Sequence, residues 1–90
     1  MDKEGYNAIS NKVVLGDKFG SLHLLDVSRK LLLDKIQLFE APPKRITGLA
    51  SATIIWAETK LTFVAVLARA SPVIKIVGFK HNENKLIQLY

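Results

Sequence analysis

A five-residue segment recurs 51 positions further along the chain. Residues 35–39 read Lys-Ile-Gln-Leu-Phe and residues 86–90 read Leu-Ile-Gln-Leu-Tyr, so that Gln37 and Gln88 mark the offset. At the same offset Val13-Val14-Leu15 falls on Val64-Ala65-Val66, and Leu22–Leu25 falls on Ile74–Val77 with one inserted residue. Both copies share the order strand, turn, strand, turn, strand. A unit of short antiparallel strands repeated about every 50 residues indicates sheets that stack on one another.

Short runs rich in Val, Ile and Leu, separated by polar turns, predict an all-β fold. Segment 31–38 also fits an amphipathic helix, but the alternation of Ile36-Gln37-Leu38 and the following Pro42-Pro43 favour a strand. Residues 57–60 are predicted to form a polar turn. We predict seven strands, with an eighth edge strand around Tyr6, over residues 12–15, 21–27, 31–39, 46–56, 61–67, 73–79 and 86–90.

The opening hairpin carries a resemblance to a known family. Residues 16–20 read Gly-Asp-Lys-Phe-Gly, and glycine adopts at little steric cost the positive φ that a tight reversal needs. Residues 16–27 (GDKFGSLHLLDV) resemble the second and third strands of a WD40 repeat, in which a Gly/Asp turn precedes a strand that ends in Trp-Asp. The signature residues here are Gly16, Gly20, Leu25 and Asp26, and Leu25 stands in place of the Trp.

The resemblance implies the four-stranded antiparallel meanders, or blades, of a degenerate WD40-like β-propeller. The second copy resembles the family in strand order only, because Val77 and Gly78 stand where Trp-Asp would be. No Gly-His dipeptide precedes either copy, so the buried hydrogen-bond network of the family is not expected. The alternative is a small seven-stranded barrel or sandwich. The expected units are residues 1–11 as an N-terminal segment or edge strand, 12–39 as a partial blade of three strands, 40–45 as a Pro-containing link, and 46–90 as a complete blade.

Two blades cannot close a ring, because natural propellers have at least about four. An open pair leaves apolar sheet faces uncovered, which monomers seldom tolerate over several hundred Å². We therefore expect a piece of a longer propeller, a self-associating chain, or blades completed by partner subunits.

No motif in the chain indicates catalysis. There is no cysteine, the two histidines are His23 and His81, and neither has an evident orienting acid nearby in sequence. Nucleophile turns of the Gly-x-Ser-x-Gly type and Gly-rich phosphate loops are missing, and no carboxylates complete a metal site around either histidine. We expect no enzymatic activity, no catalytic residue, no cofactor and no metal.

The turns carry the candidate binding residues. In a propeller the turns between second and third strands and the links between blades emerge on one face, where WD40 proteins usually bind partners. Here those segments are residues 16–20, 40–45 and 68–72. They bring an aromatic and four basic side chains to one rim, which suits an acidic peptide: Lys18, Phe19, Lys44, Arg45 and Arg69.

The net charge of +5 permits contact with nucleic acid but does not demand it, because the basic residues are scattered. The leading hypothesis is a non-enzymatic protein–protein interaction scaffold. The second is a basic β-domain that binds single-stranded nucleic acid on an aromatic sheet face, although core packing is the favoured role for Trp56, Phe63 and Phe79. Without a signal-peptide pattern or an apolar stretch of about 20 residues, we expect no membrane span and an intracellular, cytoplasmic protein; a cytoskeletal or ciliary complex also fits a degenerate propeller.

Overall fold

The computed structural model describes residues 6–9, 12–39 and 44–90, the first of these segments by its backbone alone. The segments consist of strands joined by turns and short irregular links, with no helix in any of them. The all-β prediction is therefore confirmed. The strands are β1 (Tyr6–Ile9), β2 (Lys12–Gly16), β3 (Ser21–Asp26), β4 (Leu31–Gln37), β5 (Ile46–Trp56), β6 (Thr59–Ala68), β7 (Ile74–Lys80) and β8 (Ile87–Gln88).

The strands form two antiparallel four-stranded sheets, each a simple meander. The first sheet has the order β1-β2-β3-β4 and the second the order β5-β6-β7-β8. The edge strand predicted around Tyr6 exists, and it completes the first sheet by pairing with β2. Both sheets keep two edge strands, so the described strands close no barrel.

The predicted strands agree with the structure to within a few residues at their ends. Residues 31–37 form a strand, which excludes the helical alternative for this segment. The turn predicted over 57–60 is shorter, because β6 already begins at Thr59 and leaves a two-residue loop of Ala57 and Glu58. The predicted role of Pro42-Pro43 as a stiff link lies outside the described residues.

The two copies of the internal repeat have the same strand register in their central hairpin but a different register at their last strand. Val13 pairs with Leu25 in the first sheet, and the equivalent residues of the second copy, Val64 and Val77, pair in the same register. Gln37, however, lies opposite Ser21, whose equivalent in the second copy is Val73. Gln88 lies opposite Val77 instead. The fourth strand of the second sheet is therefore displaced by four residues along its neighbour.

One hydrophobic core lies between the two sheets. It includes Leu22 and Leu24 from the first sheet and Val64, Val66 and Val77 from the second, all fully buried. Alternate residues of a strand point to opposite faces, so these five side chains define one inward face on each sheet. Burial of this shared layer is the main favourable term that holds the sheets together.

Polar contacts also join the sheets. The Lys12 ammonium donates to the carbonyl of His81 at 2.7 Å, and the Lys75 ammonium donates to the carbonyl of Leu38 at 2.6 Å. The Asp34 carboxylate accepts the backbone N–H of Leu86 at 2.6 Å. Charged groups in such bonds form the stronger class of hydrogen bond, so these contacts fix how one sheet lies on the other.

No described segment of the chain covers the opposite face of the second sheet. We call it the outer face, and it contains Ala50, Ala52, Ile54, Trp56, Leu61, Phe63, Ala65, Ile76, Gly78 and Ile87, assigned from strand register and alternation. The expected core role is wrong for Trp56, which is 70% exposed at the end of this face, while Phe63 is half-buried within it. Phe79 alone of the three aromatics lies in the core. Shallow hollows of about 130 and 290 Å³ lie on either side of Phe63.

Candidate functional site

Asp17 organises the turn between β2 and β3. Its carboxylate accepts the backbone N–H groups of Phe19 and Ser21, each at 2.9 Å, and the Nε2–H of His23 at 2.8 Å. An Asp that accepts backbone bonds two and four residues further on holds a turn in one conformation. The turn that presents Lys18 and Phe19 is therefore ordered by its own side chain.

The Asp17–His23 pair corrects the expectation that neither histidine has an orienting acid nearby. Leu15 pairs with His23 across the hairpin, which brings His23 back beside Asp17. Burial by itself raises the pKa of Asp17, but the bonds from His23, Ser21 and Phe19 outweigh it and leave that pKa below its usual value of 3.8. His23 is half-exposed and points away from Leu22 and Leu24, as its place in the alternation predicts.

A second set of bonds ties this turn to the end of β4. Ser21 Oγ donates to Gln37 Oε1 at 2.5 Å, and Gln37 Nε2 donates to the carbonyls of Phe19 and Phe39 at 2.8 and 3.1 Å. Gly20 has φ +88°, and a Cβ there would lie 2.5 Å from the Phe39 carbonyl oxygen. Only glycine fits this position, which explains the second glycine of the motif.

Backbone hydrogen bonds bring the predicted turn segments together at one end of the molecule. The Ile46 N–H donates to the Asp17 carbonyl at 3.0 Å, and the Arg69 N–H donates to the Arg45 carbonyl at 2.8 Å. Gly16 lies against the Ile46 side chain, where a Cβ would come within 2.5 Å of it. The 17–20 turn, the segment entering β5 and the turn after β6 therefore form one continuous edge.

We call Lys18, Phe19, Lys44, Arg45 and Arg69 the basic rim. Phe19 is 59% exposed, and the Lys18 ammonium lies 5.3 Å from the centre of its ring. Within residues 12–39 and 44–90, the Lys44, Arg45 and Arg69 side chains have neither an ion-pair nor a hydrogen-bond partner. The rim thus presents an aromatic ring and three exposed cations to solvent, with Lys44 half-buried beside them.

The remaining signature residues have structural roles. Asp26 accepts the Arg29 N–H at 3.1 Å and caps the turn between β3 and β4, in which Lys30 adopts φ 57°. Leu25 is half-buried on the face of β3 that points away from the second sheet.

The opposite end of the molecule carries a histidine that the sequence did not mark as important. His81 Nε2 lies 2.6 Å from Thr62 Oγ1, which in turn lies 2.9 Å from Thr53 Oγ1, and its ring stacks on Phe79 at 5.1 Å. Burial lowers the pKa of His81, and the positive charges of Lys60 and Lys12 lower it further. A neutral His81 is therefore favoured here, in a structural joint between the two sheets.

The described residues contain no group of three or more His, Cys, Asp or Glu side chains that could hold a metal ion. His23 has no hydroxyl or thiol bonded to it in this part of the chain, because Ser21 Oγ is directed to Gln37. None of the described segments forms a helix that could cross a membrane.

Comparisons with protein-family models, with curated proteins and with solved structures gave no match. The WD40 resemblance therefore rests on residues 16–27 and on the repeat within the chain itself.

Proposed function

We propose that this chain is a non-enzymatic protein–protein interaction scaffold made of two WD40-like propeller blades, and that its basic rim binds an acidic segment of a partner protein. The observation that carries the proposal is the rim itself. Three turn segments converge on it through backbone bonds, and the Lys44, Arg45 and Arg69 side chains lack ion-pair and hydrogen-bond partners among the described residues.

The blade arrangement supports the same reading. Two four-stranded meanders stack through one apolar core, with the central hairpin of each in equivalent register. Each sheet covers one face of the other, and no described segment covers the outer face of the second sheet, as in a blade that awaits a neighbour. Stacked blades hold their connecting turns at fixed positions, and fixed turns bind with a smaller entropic cost.

Titration with a fluorescently labelled peptide rich in Asp and Glu tests the proposal. Combining Arg45→Glu with Arg69→Glu reverses two unpaired cations at the rim, and we expect the dissociation constant to rise about tenfold or more. Binding of the unaltered chain should also weaken with salt, because the contacts are exposed charges.

The matched control reverses two exposed cations at the opposite end, Lys60→Glu and Lys85→Glu. This variant has the same net charge as the rim variant and should keep the affinity of the unaltered chain. An equal loss of affinity in both variants would show that binding follows net charge. If the unaltered chain does not bind the peptide, the rim is not a site for acidic segments.

One observation favours the second candidate, binding of single-stranded nucleic acid. Trp56 and Phe63 lie on the open outer face and not in the core, where exposed rings can stack with bases. The same face holds few cations, with Lys80 at its margin, which is why the scaffold is preferred. Binding of an oligothymidylate that is lost in Trp56→Ala and Phe63→Ala, but kept in the rim variant, would reverse this preference.

A further inference from the structure

One of the two edges of the second sheet, formed by β5, is unusually exposed. β5 is the edge strand, and all seven residues from Ala50 to Trp56 are exposed. This run, Ala-Ser-Ala-Thr-Ile-Ile-Trp, contains no charged residue and no proline. Edge strands of soluble proteins are usually protected by charge, proline, a bulge or a short length, because an unprotected edge pairs with another strand. In the described part of the chain no strand pairs with this edge.

The side chains are small in one half of the run and large in the other. Two copies of the run in antiparallel orientation are therefore complementary in shape. Ala50 and Ala52 are small, and beside them on the outer face lies the hollow of about 290 Å³, lined also by Phe63, Ala65 and Ile76. Ile54, Ile55 and Trp56 at the other end are large, and Ile55 and Trp56 are 78% and 70% exposed. The strand therefore has its cavity at one end and its unburied side chains at the other.

We propose that two copies of this chain pair antiparallel through β5, about a two-fold axis at Thr53, to form one continuous eight-stranded sheet. Full overlap of the seven exposed residues places Thr53 opposite Thr53 of the second copy. It also places Ile54 opposite Ala52 and Trp56 opposite Ala50. Directly opposed residues share a face with Cβ atoms about 5 Å apart, so Trp56 of each copy lies over the hollow of the other. A two-fold axis satisfies both copies at once and stops growth at a dimer.

The pairing places no like charges directly opposite each other, because the run is uncharged although the chain has a net charge of +5. It uses the edge and one end of the outer face, and it leaves the basic rim free. The inference is therefore independent of the proposed function, and either can fail without the other.

The dimer is tested first by mass. Light scattering after gel filtration should give a mass that rises with concentration from 10.0 kDa toward twice that value. Thr53→Lys places two like charges at the axis and should give a monomer, as should Thr53→Glu, whereas an equimolar mixture of the two should recover the dimer. Gln88→Lys puts the same charge on the opposite edge strand of the sheet and should leave the dimer unchanged.

The register is tested by cross-linking, for which the absence of cysteine from the chain is an advantage. Thr53→Cys should form an intermolecular disulfide on mild oxidation, because opposed residues in an antiparallel pair have the Cα separation that a disulfide requires. Ala50→Cys should not cross-link to itself, since its two copies would lie about 20 Å apart at about 3.3 Å per residue. Mixed with Trp56→Cys, it should cross-link.

Three results would overturn the inference. The first is a mass of 10.0 kDa at every concentration. The second is equal self-cross-linking of Ala50→Cys and Thr53→Cys. The third is an oligomer that resists Thr53→Lys but dissociates with Ile76→Glu on the outer face, since that oligomer would use sheet stacking in place of edge pairing.

Discussion

Asp17 shows how much one side chain contributes to the candidate site. It accepts bonds from Phe19, Ser21 and His23, and its backbone carbonyl accepts the Ile46 N–H that brings β5 to the rim. The same residue therefore fixes the 17–20 turn and its distance from the segment that carries Arg45. Loss of its carboxylate should loosen the turn, while the backbone bond to Ile46 remains.

Replacing Asp17 by Ala should lower the free energy of unfolding by about 1–3 kcal/mol at neutral pH, because two backbone donors and His23 lose their acceptor. The folded-state pKa of Asp17 lies below 3.8, so its stabilisation is present above that pH and is lost as the pH falls through the folded-state pKa. Urea unfolding from pH 7 to pH 3 should show the difference between the two proteins narrowing at the acid end. Asp26→Ala removes one exposed turn bond and a surface ion pair with Arg29 at 3.8 Å, and it should cost less. An equal cost would contradict the special role of Asp17.

At the residue scale, the sequence allows prediction of contacts between residues that are close to one another along the chain. The Gly16–Gly20 turn was predicted from its own residues. The convergence of the basic segments was predicted from the resemblance to a propeller, in which these turns and links emerge on one face. The Asp17–His23 bond was missed, since it depends on the pairing of Leu15 with His23. The available signal was a polar residue, His23, at a position that the hairpin pairing brings close to Asp17.

The β5–β6 hairpin has the longest strands of the described elements, and its turn has the least favourable backbone conformation. Its two loop residues, Ala57 and Glu58, have φ 49° and 65°, both in the left-handed region that disfavours residues other than Gly, Asn and Asp. Positive φ at both positions is the geometry of the hairpin turn for which Asn-Gly is the preferred sequence. The hairpin thus forms because its long paired strands outweigh an unfavourable loop.

Combining Ala57→Asn with Glu58→Gly should relieve that strain and raise the free energy of unfolding by about 1–2 kcal/mol. Chemical denaturation measures the gain. Ser28→Gly, in a turn position without positive φ, serves as the control and should give no gain, because glycine there only adds freedom to the unfolded chain. A gain in the control, or none in the hairpin, would show that φ is not the cause.

The sequence also could not predict which face of the second sheet is covered. In β6 the inward residues Val64 and Val66 and the outward residues Leu61 and Phe63 are all apolar, so alternation of polarity is lost. Only the stacking of the first sheet decides between the faces. For the same reason the sequence favoured a core position for Trp56, which lies on the outer face, away from the first sheet.

At the scale of the whole molecule, the shared core means that neither sheet should be stable without the other. Leu24 of the first sheet is fully buried in the same cluster as Val64 and Val66 of the second. Leu24→Ala should cost about 2–5 kcal/mol, a large part of the 5–15 kcal/mol typical of a domain. Because the sheets share this layer, amide hydrogen exchange should accelerate in β6 as well as in β3.

Leu25 provides the matched control, because it is the next residue on the same strand but points to the other face and is only half-buried. Leu25→Ala should cost less and leave exchange in β6 nearly unchanged. If Leu24→Ala accelerates exchange in the first sheet alone, the sheets unfold independently, and each is a separate unit that merely touches its neighbour. If both accelerate together, the pair of sheets is the smallest stable unit, and the outer face and the β5 edge are presented by one cooperative body.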